Sequence, residues 1–409
     1  MLLISDLTIP VVIITFVGVA AGEYPGFKMN RASIAFVGAV LLVALQVLPA
    51  SAALNAIDPG TLLLVFAMMV ISAHLRLAGF FGWIGGFIAR HTRSPRWLLA
   101  SIILCAGVLA ALFLNDAVVI VFTPLVVDLT RALRRDARPY LIGLAAAANI
   151  GSAATITGNP QNILIGVSSR IPYAAFLAAL GPVALLGLGV AWIVLRLLYR
   201  AEFAKPGWSA QEVTFHEEVD RPLLRKSLLL TAVMLGAFLA GAPVPLAAIT
   251  VAAALLVSRR TRPEAIFAAI DWSLLVLFIG LFVITGALEH THIIDRLFAP
   301  MQPWLRTGVA PLAAVVALLS NLVSNVPAVL LFRPLVPQLA DPRQAWLTLA
   351  MASTLAGNLT LFGSVANLIM AEVARSHDVE IAFRDYLRAG VPITLITIGI
   401  GVLWLSLVA

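Results

Sequence analysis

The segment Asn149–Gly166, NIGSAATITGNPQNILIG, places three asparagines, a glutamine, two threonines, three glycines and a proline between two closely spaced apolar runs. A lipid-facing helix cannot hold such a segment. Pro160 lacks an amide donor and crowds the preceding turn, and Gly158 withdraws side-chain support, so a helix is expected to break near 157–160. Unwound backbone at membrane depth persists only where protein buries it or where it lines a watery cavity. The segment predicts a discontinuous transmembrane helix whose broken middle binds something small and polar.

The rest of the chain supplies the membrane. Hydrophobic residues make up 61% of it, charged residues 11%, and the mean hydropathy is +1.01. The apolar runs are continuous over about 17–25 residues, the length of a bilayer-spanning helix, and lack the alternation of a β-barrel. The fold class is all-α polytopic membrane protein. The net charge of +7 is loop charge that orients the spans, and no nucleic-acid partner is implied. Cys105, the one cysteine, excludes an internal disulfide and a thiolate metal cage, and reads as a small core residue. The opening run MLLISDLTIPVVIITFVGVAAG lacks a basic leading region and is taken as a span rather than a signal peptide.

Expected spans are 7–24, 32–49, 61–78, two short arms at 98–114 and 117–130, a broken span at 140–169, and 175–199. A polar segment, 200–226, reads as a cytoplasmic linker. Then come 227–241, 244–258, 272–289, arms at 309–324 and 326–340, a broken span at 345–374, and 389–408. The second series repeats the first. Asp58, Val70, Ile71 and Leu75 match Asp271, Val283, Ile284 and Leu288; Asn115, Val119, Pro124 and Val126 match Asn325, Val329, Pro334 and Val336; Thr155, Gly158 and Asn162 match Thr360, Gly363 and Asn367. Three ordered blocks predict a duplication, with domains at 1–199 and 227–409, each of about five spans.

Charge fixes the relative orientation. Each pair of arms reads as a re-entrant hairpin (98–130 and 309–340) with a polar tip, and basic loops on both sides of the first hairpin place its two ends in the cytoplasm. Propagating that topology leaves only Arg170, Arg296, Arg306, Arg333 and Arg343 of the 27 basic residues outside. The repeats are then inverted, with both termini external.

Inverted repeats bring hairpin tips and broken spans together near the midplane. The expected solute-binding set is Asn115, Asn149, Thr155, Thr157, Asn159, Asn162, Asn325, Asn358, Thr360, Ser364 and Asn367. A lone Asn or Thr in a span usually bonds a neighbouring helix; matching clusters in both repeats favour a site. Asp116 is the one carboxylate deep in an apolar stretch, and its counterpart is Val326. A carboxylate placed there can carry charge in one state and a proton in another, so Asp116 is assigned proton coupling; a helix cap is the competing reading. Asp58 and Asp271 read as caps or interface residues, and Glu23, His74, Arg76 and Glu289 as snorkelling residues at span ends. No Arg or Lys is expected within the site, Arg333 being the nearest. Such a site suits a neutral or singly charged polyhydroxy solute. No cofactor or metal site is expected, nor the nucleophile–base pair that an intramembrane enzyme needs.

The motifs GFFGWIGGFIAR, ALFLNDAVVIVFTPLVV, GSAATITGNPQNILI, SNLVSNVPAVLL and AGNLTLFGSVANLIM resemble those of the arsenite/antimonite permeases of the ion transporter superfamily, over nearly the whole chain. That group is related to silicon effluxers, the melanosomal pink-eyed-dilution protein and divalent-anion/sodium symporters. The tip at Asn115-Asp116 is similar to that of the arsenite permeases, and Gly158–Asn162 is closer to the silicon-effluxer branch. The symporters' Ser-Asn-Thr tips are replaced here by Leu114-Asn115-Asp116 and Ser324-Asn325-Val326. The resemblance implies proton-driven efflux of arsenite, antimonite or a similar metalloid hydroxide from a bacterial inner (plasma) membrane. Sodium-coupled transport of a small anion is the alternative. The assembly, including a homodimer, is left open.

Overall fold

A computed structural model describes residues 2–24, 26–208 and 219–408. Its principal helices form two series. The first comprises α1 (Leu2–Ala21), α2 (Arg31–Ala44), α3 (Pro59–Leu77), α4 (Pro95–Leu112), α5 (Asn115–Ala132), α6 (Arg138–Ser152), α7 (Pro160–Ser169) and α8 (Tyr173–Leu198). The second comprises α9 (Arg221–Leu239), α10 (Val244–Leu256), α11 (Trp272–His290), α12 (Val309–Val323), α13 (Asn325–Phe332), α14 (Pro342–Ala356), α15 (Val365–Ser376) and α16 (Phe383–Val408). Short helices, among them Phe80–His91, join these. Residues 23–24 and 27–30 form a small antiparallel β-hairpin that the all-helical reading did not anticipate.

Six of the helices (α3, α4, α8, α9, α11 and α16) are long and apolar enough to cross a membrane. Along their middle turns α8 and α16 expose large apolar residues, among them Leu185, Leu186, Leu395 and Leu403, as a lipid-facing surface requires.

Packing follows the duplication. α2 lies against α11, and the equivalent pair α10 against α3; α4 packs on α6 as α12 packs on α14; α6 meets α15 as α14 meets α7. α8 packs against its own counterpart, α16. The architecture is two inverted repeats interleaved about a pseudo-twofold axis, each with a re-entrant hairpin and a discontinuous helix.

The α4–α5 hairpin begins and ends at the same end of the molecule. Arg96 Nε donates to Phe203 O at 3.0 Å at its start, and Arg135 donates to the neighbouring Pro206 O beyond its finish. Close approach of α4 and α6 depends on glycine: a Cβ on Gly151 would lie 2.0 Å from Gly107 O. The second hairpin's return helix is shorter than expected and stops at Phe332, just before Pro334 and Pro337, neither of which can donate to a helix. Part of the expected linker, 209–218, lies outside the described residues; Arg200–Phe203 is a short helix, and Trp208 N bonds Arg93 O at 3.2 Å.

Candidate functional site

The first discontinuous helix opens earlier than proline and glycine alone dictate. α6 ends at Ser152 and α7 starts at Pro160, so the break spans 153–159 rather than 157–160. Asn162 causes this. Its Nδ2 reaches back to Ser152 O at 3.1 Å and Thr155 O at 3.0 Å, supplying donors to carbonyls that leave the helix, while Asn159 caps α7 by accepting from Asn162 N at 2.8 Å.

The second break, between α14 and α15, has the same wiring. Asn367 Nδ2 donates to Gly357 O at 2.8 Å and Thr360 O at 3.0 Å, and these partners occupy the positions equivalent to Ser152 and Thr155. Gly158 and Gly363 occupy matching places where a Cβ would strike backbone: Ser152 O at 2.4 Å and Gly357 O at 2.9 Å.

Asn149 ties the parts together. Its Nδ2 donates to Asn358 Oδ1 at 2.9 Å and to Asn367 Oδ1 at 3.0 Å, and its Oδ1 accepts from Asn115 Nδ2 at 3.1 Å and Ser364 Oγ at 3.0 Å. Backbone carbonyls orient the whole chain of amides. Gly357 O and Thr360 O can only accept, so Asn367 presents its nitrogen to them and its oxygen to Asn149; Asn149 must then accept from Asn115. Among the described residues Asn115 Oδ1 is left without a partner, and so is Asn325 Oδ1, its equivalent on the second tip; both are buried.

Asn115, Asp116, Asn325 and Ser364 border a cavity of about 700 Å³ between the hairpin tips and the breaks. The other expected residues lie behind it. Asn358 Nδ2 bonds Ala146 O at 3.3 Å, Asn159 Nδ2 bonds Ser152 Oγ at 2.9 Å and Thr354 Oγ1 at 3.2 Å, Thr155 donates to Ala111 O, and Thr157 Oγ1 is 3.3 Å from Tyr173 OH. Thr360 contributes its carbonyl to Asn367. No side chain caps α5, whose N-cap is Leu114, so Asp116 makes no capping hydrogen bond.

Several cavity residues were not expected. Gln161 borders it and bonds Thr354 Oγ1 at 3.3 Å. Thr354 is the repeat equivalent of Asn149, and its offset from Asn149, the same as from Asn162 to Asn367, was the signal that could have found it. Arg31 and Arg375 also border the cavity, which corrects the expectation of a site without cations. Both belong to loop-flanking helix ends, where sequence reads charge as topology. Arg333 instead lies over the Phe282 ring at 6.0 Å. Asp58 and Asp271 cap α3 and α11 as expected. His74 is fully buried, its Nδ1 2.8 Å from Val70 O, and does not snorkel.

The citrate transporter family profile, CitMHS, matches residues 11–356. The silicon efflux transporter LSI3 of Oryza sativa subsp. japonica is 31% identical, over 92% of this chain and 93% of its own. The 46 kDa membrane protein of Mycobacterium leprae (strain TN) is 29% identical over 98% of each chain, and the putative transporter arsB of Dictyostelium discoideum is 23% identical over 91% and 87%. The crystal structure of the Alcanivorax borkumensis YdaH transporter superposes with a TM-score of 0.61 at 15% identity, covering 99% of this chain and 96% of that one. Neisseria gonorrhoeae MtrF, from a class of antimetabolite efflux pumps, gives 0.60 at 11% identity, covering 99% and 94%. At these identities the two structures share the fold. The duplicated architecture and these relatives converge: the chain belongs to the CitMHS citrate transporter family, within the ion transporter superfamily, and is an integral membrane transporter, not an enzyme.

Proposed function

We propose that the protein is a proton-coupled secondary carrier that exports a small neutral metalloid hydroxide, such as arsenous, antimonous or silicic acid, across a bacterial plasma membrane. The pair of unpartnered amide oxygens, Asn115 Oδ1 and Asn325 Oδ1, carries this reading. Both residues border one cavity, and unpaired acceptors beside it match a solute that offers O–H donors and disfavour a carboxylate, which offers none. Ser364 completes the contact set. Asn149, Asn358 and Asn367, with Asn159, Asn162, Thr155, Thr157 and Thr360, hold the tips and breaks in register. Asp116 borders the same cavity and takes the coupling proton. The likeness to a silicon efflux transporter and to a putative transporter called arsB supports this solute class. The cavity also reaches Arg31 and Arg375, at ends that the basic loops assign to the cytoplasm, so this conformation is open inward.

Proteoliposomes containing the purified protein test it. A pH gradient should drive arsenite or silicic acid transport, and Asp116→Asn should abolish the proton dependence. Transport driven by sodium and indifferent to pH would overturn the coupling; no flux of either hydroxide would overturn the solute class.

Arg31 and Arg375 favour a second reading, sodium-coupled transport of a small anion. Sodium-dependent citrate uptake that falls at least tenfold in Arg31→Gln would establish it.

A further inference from the structure

Arg96, Arg196 and Arg200 come from three separate elements: the first turn of α4, the last turn of α8, and the short helix Arg200–Phe203 that follows it. Together they border a groove of about 330 Å³ at the end of the molecule that the basic loops assign to the cytoplasm. Trp192 holds the wall in place. Its Nε1 donates to Arg96 O at 3.3 Å, and its ring centroid lies 5.1 Å from the Arg196 guanidinium carbon. The bond from Arg96 Nε to Phe203 O fastens the opposite side.

Among the described residues these three guanidiniums form no ion pair, although other charges at this end are neutralised, Arg138 by Asp136 and Asp385 and Lys205 by Glu202. Like charges around one groove repel one another, and an anion between them removes that cost. The groove also meets the surface that faces lipid: Leu186, Ile193 and Leu197 lie on one face of α8 at helical spacing, all exposed, and run from it toward the middle of the span. The equivalent helix, α16, supplies a contrast. α8 and α16 start at Tyr173 and Phe383 and carry Pro182 and Pro392 at the same step, so Arg196 corresponds to Ser406. The groove beside the far end of α16, about 260 Å³, is bordered by Trp404 with Asp341 and Arg343, one charge of each sign.

We infer that the groove of three arginines is a binding site for one anionic phospholipid, its phosphodiester held by Arg96, Arg196 and Arg200 and an acyl chain laid along Leu186, Ile193 and Leu197. Basic pockets between spanning helices on the cytoplasmic side suit such headgroups, and tryptophan is enriched at that level of the membrane. A phosphodiester brings a negative charge and oxygens that guanidinium forks can share. A zwitterionic lipid brings an ammonium of its own among the same three cations and is disfavoured. The bound lipid bridges the start of the first hairpin and the end of α8. The site does not depend on the solute or the coupling ion of the carrier.

Purified full-length protein, delipidated in detergent, should melt higher with dioleoyl phosphatidylglycerol than with dioleoyl phosphatidylcholine, which has the same chains. Native mass spectrometry of protein given both lipids should show the anionic one retained in preference. Arg196→Gln and Arg200→Gln remove charges whose side chains make no hydrogen bond among the described residues. Each should weaken that preference about fivefold, the effect of one cation near an anionic lipid surface. Arg343→Gln, at the groove of mixed charge, should leave it unchanged. The retention ratio is read within one sample, so a variant of altered stability still reports. Equal retention of the two lipids by the wild type, or the wild-type preference in a variant carrying both Arg196→Gln and Arg200→Gln, would overturn the site. A melting shift reproduced by glycerol 3-phosphate alone would mean a site for soluble phosphate esters and overturn the lipid.

Discussion

Asn149 donates to Asn367 Oδ1 at 3.0 Å, and the repeat-equivalent pair is Thr354, whose hydroxyl donates to Asn162 Oδ1 at 3.4 Å. The symmetric bond is preserved with different chemistry. Asn149 has two donors and two acceptor sites and fills all four; a threonine hydroxyl in its place serves only one donor bond. The first repeat therefore supplies the hub, and the second supplies the residues it binds.

Replacing Asn149 by leucine strands the oxygens of Asn358 and Asn367 and the Asn115 amide group in a buried setting. Each unsatisfied group costs about 1–3 kcal/mol, so the variant should lose several kcal/mol, read as a fall in melting temperature. Asn149→Asp should also fail, because a carboxylate has no hydrogen to give Asn358 and Asn367. A melting temperature unchanged in Asn149→Leu would show that the network does not hold the site.

Gly151→Ala places a methyl 2.0 Å from Gly107 O, on backbone that cannot swing aside. α4 and α6 must separate, which displaces the first hairpin tip. Overpacking of this kind costs about 1–3 kcal/mol. The expected outcome is lower thermal stability together with loss of transport. Gly189→Ala, where a Cβ meets nothing within 4 Å, is the matched control and should melt as the wild type does.

Much of this was legible beforehand. Gly158, Pro160 and the polar residues around them announced a break, and the offsets between equivalent residues announced the duplication. What escaped was side chain to backbone geometry over a distance of several residues. Asn162 opens the helix at Ala153 by bonding carbonyls seven and ten residues earlier, a reach no local propensity encodes. Arg31 and Arg375 come from distant parts of the chain, and only the interleaving of the repeats puts both on one cavity wall. His74 looked like a residue at a span end because hydropathy does not report which neighbouring helices cover it.

At the second tip Ser324 adopts φ +77° and ψ 158°, a region tolerated almost solely by glycine, whereas its equivalent, Leu114, has an ordinary φ of −59°. Strain of this kind costs about 1–3 kcal/mol. Ser324→Gly should relieve it and raise the melting temperature, reduced by the roughly 0.5–1 kcal/mol that glycine adds to unfolded-state entropy. Leu114→Gly should lower it. A fall in Ser324→Gly would mean that the hydroxyl contributes more than the strain takes away.

Asp136 lies in the loop between α5 and α6. Partial burial pushes its carboxyl up, but hydrogen bonds from the Arg138 side chain and backbone outweigh this and hold it below the usual carboxylate range. A group depressed in the folded state stabilises above its unfolded pKa and loses that contribution as pH falls through its folded value. Acid titration of melting temperature should therefore show a small decline that Asp136→Asn removes. The effect is modest because both partners are partly exposed to solvent.

The four bonds at Asn149 join the first hairpin tip to both helix breaks across the pseudo-twofold axis. Prising those parts from one another would sever several buried hydrogen bonds at once. Whatever rearrangement carries solute from one side to the other must leave this knot tied. The seam that yields has to run elsewhere, through the nondirectional apolar contacts around the cavity, where helices can slide at little cost. Asn149 thereby defines which parts of the molecule travel together.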